Sequence, residues 1–244
     1  IDDNADATAI TIDSSERVGI NFTPKTMNAN VTSSLNVGSG TVFQRTKDTF
    51  VGSNMYYNAS DAGTSISTGY GLAYYQDVTN GAHKLFTSAA SAGSADATHS
   101  FTIPMTIDSS GRVTTPVQPY FFAESTHTGT LLSTGVCPFN TVTHNVGNHY
   151  NGSNYTFTAP IDGRYLFTVS ALNYPSASSA GEMYFSVNGG GYTALMRFNG
   201  ISQQVSITGS AILNLSANDT VKVIGSLYFY TSGGHGHFSG MLLG

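Results

Sequence analysis

Residues 139–169 read FNTVTHNVGNHYNGSNYTFTAPIDGRYLFTV. Near the end of this stretch Tyr165, Phe167 and Val169 occupy alternate positions. In an extended chain that spacing puts all three side chains on one face, which reads as a half-buried strand. Tyr165 and Phe167 would plug a sandwich core, each contributing ~2 kcal/mol or more through the apolar area it buries. Asn151-Gly152 and Asp162-Gly163 are turn signals that cut the stretch into short pieces.

Working outward, the same period of two returns at Ala211, Leu213 and Leu215 and again at Val221 and Val223. Asn188-Gly189-Gly190-Gly191 and Asn218-Asp219 separate these runs at intervals typical of a β-sandwich or a jelly roll, and the alternation alone does not choose between the two. Charged residues make up only 9% of the 244, while Gly, Ser, Thr and Asn recur throughout, so helix is expected to be scarce and the fold class all-β.

Pro116 and Pro119 stand close together and disfavour both a helix and a central strand. We place the domain junction there, with one β-rich module over residues 1–115 and a second domain over 116–244. The first carries an internal echo. Ile10-Thr11-Ile12-Asp13-Ser14-Ser15-Glu16-Arg17-Val18 returns as Met105-Thr106-Ile107-Asp108-Ser109-Ser110-Gly111-Arg112-Val113. Each copy reads as strand, tight turn, strand, because Asp and Ser side chains bond nearby backbone in turns, and the pair brackets one module. Inside it, Leu72 to Gln76 and His83 to Ser88 flank Asn80-Gly81, a strong hairpin signal. The segment from Ser88 to Ser100, rich in Ala, Ser and Gly, reads as an exposed loop or a loose link.

The formal charge is −5, and the nine basic residues are scattered singly, which argues against nucleic acid as a partner. Only four acidic and three basic residues follow Gln118, so the second half must hold its surface with neutral polar groups. Such a surface suits sugars and self-association. The single cysteine, Cys137, excludes an intrachain disulfide framework and reads as a small buried apolar residue. No run approaches the ~20 apolar residues of a membrane helix, so membrane insertion is not expected. Starting at Ile1 without an initiator Met or a leader pattern, the chain reads as a fragment of something longer.

The stretch quoted at the outset resembles the complement 1q and tumour-necrosis-factor superfamily. Phe139, Asn145, Tyr150, Phe157, Gly163, Tyr165 and Phe167 stand at the spacing of its aromatic motif, with Val169 departing from the Phe or Tyr preferred there. Phe238-Ser239-Gly240-Met241-Leu242-Leu243 resembles the family's final strand, and Gly209 to Val221 its penultimate hairpin. The resemblance implies a ten-strand-type jelly-roll head that assembles as a homotrimer. The first half resembles tail or side fibres of bacterial viruses, where Thr-Ile-Asp-Ser-Ser punctuation recurs between β modules. Together the resemblances imply a structural fibre protein of a virion. Its N-terminal side would meet other virion proteins, and its extracellular head would attach to a host-surface glycan or protein. The alternative is a purely architectural trimerisation head, or a capsid or tail decoration, with no receptor role.

Neither paired carboxylates, nor a nucleophile elbow, nor a zinc helix is present, so no enzyme is expected. His144 and His149 flank Asn145 without an acidic partner in the sequence, and Gly69-Tyr70-Gly71 reads as a turn rather than a dinucleotide loop. Tyr228 and Tyr230 are candidate stacking faces for sugar rings, or else strand residues packed at a trimer interface. No cofactor is expected. The metal chemistry on offer is a structural ion at His235 and His237, whose imidazoles three copies would bring together around an axis, or a calcium ion shared by a trimer, for which the second half offers only Glu124, Asp162, Glu182 and Asp219. The glycines around the two histidines instead suit a loop before the last strand.

Overall fold

The computed structural model describes residues 10–126, 130–173, 181–198, 204–230 and 235–244. Among these residues every regular element is a strand, and no helix is long and apolar enough to cross a membrane. The chain divides into two compact units, Ile1–Pro116 and Val117–Gly244.

The N-terminal unit contains β1 (Ile10–Ile12), β2 (Val18–Ile20), β3 (Val31–Val37), β4 (Gly40–Arg45), β5 (Asp48–Ser53), β6 (Tyr56–Tyr57), β7 (Gly63–Thr64), β8 (Leu72–Asp77), β9 (Ala82–Ser88), β10 (Phe101–Ile107) and β11 (Val113–Thr114). Nine of them form one sheet in the order β1-β2-β3-β4-β5-β8-β9-β10-β11, and β6 pairs β7 apart from it. Neighbours are antiparallel except β2 and β3. Ala82 sits opposite Asp77 across the Asn80-Gly81 turn, closing the hairpin read from the sequence.

The internal echo builds a hairpin at each end of this sheet, β1/β2 and β10/β11. Its chemistry is the same in both copies. Asp13 Oδ1 accepts the Ser15 and Arg17 N–H groups at 2.9 and 3.1 Å, and its Oδ2 accepts Arg17 Nε at 2.7 Å. Asp108 receives Ser110, Arg112 and Arg112 Nε at 2.9, 3.0 and 2.7 Å. Glu16 and Gly111 occupy the same left-handed position, with φ of 61° and 78°.

One face of the sheet is covered by the chain's own connections. Phe43, Phe50 and Ala73 are buried there against Met27, Met55, Tyr56 and Ile66. Phe43 stacks on Phe50 at 4.8 Å and Phe50 on Tyr75 at 4.3 Å. The segment after Ser88 is the mostly exposed loop expected of it, pinned down at Ala92 and His99, which are buried. Gly69 and Ala92 exchange backbone hydrogen bonds of 3.0 and 2.8 Å, and Ser65 N–H donates to Ala97 O at 2.9 Å. Small side chains let this segment lie flat on its neighbours.

The C-terminal unit contains β12 (Tyr120–Glu124), β13 (Thr130–Val136), β14 (Thr141–Val146), β15 (Tyr150–Asn151), β16 (Thr156–Thr158), β17 (Gly163–Asn173), β18 (Gly181–Val187), β19 (Tyr192–Phe198), β20 (Val205–Leu215), β21 (Thr220–Tyr230) and β22 (His237–Leu242). The ladder β14-β12-β22-β17-β20 forms one layer. In the other, β21 carries β18 and then β19 on one edge, with β13 and the β16/β15 ribbon on its other edge. The layers join where Leu172 and Asn173 pair with Tyr230 and Phe229. Eleven strand segments are described where a ten-strand-type sandwich is expected, because the turn after Asn151 splits off the two-residue β15.

The core lies between the layers. Phe121, Phe167 and Phe238 from one sheet meet Phe157 and Phe185 from the other, all with 1% exposure or less. Ring centroids of Phe121 and Phe157 are 5.2 Å apart, and those of Phe167 and Phe185 are 6.0 Å apart. Gly209 to Val221 does not form the hairpin the sequence suggests. β20 pairs with β17 along eleven residues while β21 belongs to the opposite layer. Leu213 and Leu215 therefore enter the core from one side, and Val221 and Val223 from the other.

Candidate functional site

The motif residues do structural work. Tyr165 and Phe167 are fully buried, and Tyr165 donates its hydroxyl to Ile161 O at 2.8 Å. Asn145 clamps the start of β15. Its Nδ2 donates to Tyr150 O at 2.8 Å, and its Oδ1 accepts Tyr150 N–H at 3.1 Å. Tyr150 donates its hydroxyl to Phe139 O at 2.7 Å, and burial pushes its ionisation upward. A Cβ on Gly163 would meet Leu242 at 2.7 Å, and one on Gly240 would meet the Phe121 and Phe167 rings at 2.6 Å. At Gly240 it is this close approach of two rings, not turn geometry, that excludes a side chain. Cys137 is wholly buried, and burial raises its thiol pKa, which leaves it inert.

The remaining candidates spread out. The side chains of Tyr228 and Tyr230 lie outside the described part of β21. His235 stands exposed in the turn before β22, whereas His237 opens the strand and stacks on Phe122 with centroids 5.3 Å apart. Among the described residues no group of three or more His, Cys, Asp or Glu is placed to hold a metal ion.

A different arrangement emerges on the outward face of the β14-β12-β22-β17-β20 sheet. Its register sets Val146, Tyr120, Met241, Leu166 and Ile212 side by side in one row across all five strands. Ile212 is 62% exposed and Met241 41%. The next row runs His144, Phe122, Ser239, Thr168 and Ser210, in which the Thr168 and Ser239 hydroxyls bond at 2.6 Å. Tyr120 and His144 rings lie 6.0 Å apart. In these two rows no side chain carries a fixed charge. Arg164 and Glu124 lie on the same face beyond these two rows, and within them a row of apolar side chains left open to water is suited to burial against another surface.

The sequence profile of the C1q domain matches residues 120–243, which is about half of the chain. The chain belongs to the C1q domain family. The matched region starts at Tyr120 in β12 and ends one residue beyond β22, so it takes in both layers of the sandwich. Similar solved structures include the globular domain of zebrafish complement 1qA protein, 18% identical, covering 52% of this chain and 98% of that one with a TM-score of 0.43. Murine APRIL, crystallised at pH 8.0 and at pH 5.0, is 12% identical, covering 52% of this chain and 99% of that one with a TM-score of 0.42. Comparison with curated proteins gave no match.

Sequence reasoning missed the outward row of the C1q domain. A signal for it was present, since Leu166 stands between Tyr165 and Phe167, and Ile212 between Ala211 and Leu213. Apolar residues on both parities of an alternating strand mark a strand covered on both faces.

Proposed function

We propose that this chain is a viral structural fibre protein whose C1q domain forms a homotrimeric head that attaches the virion to a host-surface glycan or protein. The observation that carries this reading is the outward row Tyr120, Met241, Leu166 and Ile212, which a threefold assembly would bury. The twice-used Asp-Ser-Ser hairpin supports the fibre half of the reading, because it builds a module closed by the same hairpin at both sheet edges. In this reading the chain is not an enzyme. It acts outside the cell, and its N-terminal side meets other virion proteins.

A second reading rests on the same apolar row. A head that only nucleates and locks the trimer would need that row and nothing at its turns. Binding of the assembled chain to a glycan array and to bacterial cells separates the two, with alanine substitutions at exposed turn residues such as Ser153 and Asn154. Attachment predicts binding that turn variants lose while the assembly mass stays unchanged. Assembled protein that binds neither surface supports the lock instead. Release of soluble sugar from a surface polysaccharide would overturn both.

A further inference from the structure

The nine-stranded sheet of the N-terminal unit places its charges against the usual rule for a sheet that meets water on one side. An antiparallel sheet normally turns apolar side chains to the covered face and charges to the open one. Here Arg45, Asp48, Asp77 and Lys84 all lie on the covered face, in register with buried or half-buried neighbours. Asp77 is itself buried and receives Lys84 Nζ at 2.7 Å. The open face has the opposite character. Across it Leu35, Val42, Val51, Tyr74, Leu85 and Met105 form one continuous cross-strand row from β3 to β10. Val51 is 47% exposed and Leu85 43%. Val37 and Leu72 widen the strip in the adjacent row. No outward position on β3, β4, β5, β8 or β9 holds Asp, Glu, Lys or Arg; the one titratable base is His83, which is bonded to the Tyr74 hydroxyl.

We infer that this open face is an interface between copies of this chain. A face without charge offers a foreign partner no electrostatic complement to recognise, whereas an identical face matches it in flatness, strand spacing and polarity. Sheets pack face to face about 10 Å apart with interdigitating side chains, as an apolar row of this kind permits. Six strands at ~4.8 Å and five residues at ~3.4 Å give roughly 490 Å² in plan. Two such faces thus approach the ~1,000 Å² that separates specific interfaces from incidental contacts, before the relief of the side chains is counted. The inference goes beyond the head, because it assigns a second homotypic surface to a unit that the C1q match does not reach.

The test uses the full chain, whose one native thiol, at Cys137, is fully buried. Val51→Cys places a thiol on the row and Ser60→Cys places one on an exposed turn of the same unit. Both sites are solvent-facing in a single copy, so neither substitution threatens folding. Maleimide labelling rates are compared at a micromolar concentration, alongside the mass by light scattering. The expected result is Val51→Cys labelling at least tenfold more slowly than Ser60→Cys. Equal rates overturn the inference, whether the face serves a foreign protein or nothing. If equal rates accompany a trimeric mass, the head reading survives and this inference alone fails.

Discussion

Gly240 shows how tightly single residues are constrained in the head. Its neighbours on β22, Ser239 and Met241, face outward, while its own α-carbon lies under the rings of Phe121 and Phe167. Gly240→Ala should destabilise the C1q domain by about 1–3 kcal/mol, since a methyl group there forces two packed aromatics aside. The denaturant midpoint of the second unit is the quantity to follow, and an unchanged midpoint would mean that the rings yield freely. Asp77 gives a residue-scale prediction of another kind. Burial pushes its carboxyl up, but the bonds from Lys84 and Asn80 outweigh burial and bring it down to about 2. A carboxylate depressed in the folded state adds stability above its unfolded pKa of ~3.9, and that contribution is lost as pH falls from there towards about 2. The N-terminal unit should therefore unfold at lower urea concentration at pH 3 than at pH 7, and Asp77→Asn should flatten part of that slope.

At the scale of elements, the strands that face the core were legible in the sequence. Tyr165, Phe167 and Val169 alternate cleanly, and the aromatic spacing from Phe139 to Phe167 carried the family resemblance. What could not be read was which second face a strand covers. Val42 and Phe43 are both apolar and adjacent, yet Phe43 is buried under the chain's own loops and Val42 is left open, a difference set by connections distant in sequence. The β20–β21 connection was misread for a related reason. A tight turn at Asn218-Asp219 looks the same whether its strands pair or part into two layers. The outward row yields the prediction that belongs here. Ile212→Glu should abolish assembly of the head without lowering its intrinsic stability, because Ile212 is exposed in the single copy. Circular dichroism melting at high dilution, paired with mass measurement, checks both halves of that statement.

At the scale of the whole molecule, the two units present open apolar rows of the same kind, each crossing one sheet and each free of fixed charge. With so few charged residues after Gln118, the second unit covers its surface largely with neutral polar groups, and in the proposed trimer it would also bury its outward row against like copies. Assembly should therefore couple to stability. The melting temperature is expected to rise with protein concentration, as it does when subunits bind the folded state alone. The account turns on self-association of the head, and light scattering of the full chain over a dilution series tests it most directly. It predicts three times the 25.6 kDa chain mass, falling only at high dilution. A folded monomer at every concentration would contradict it.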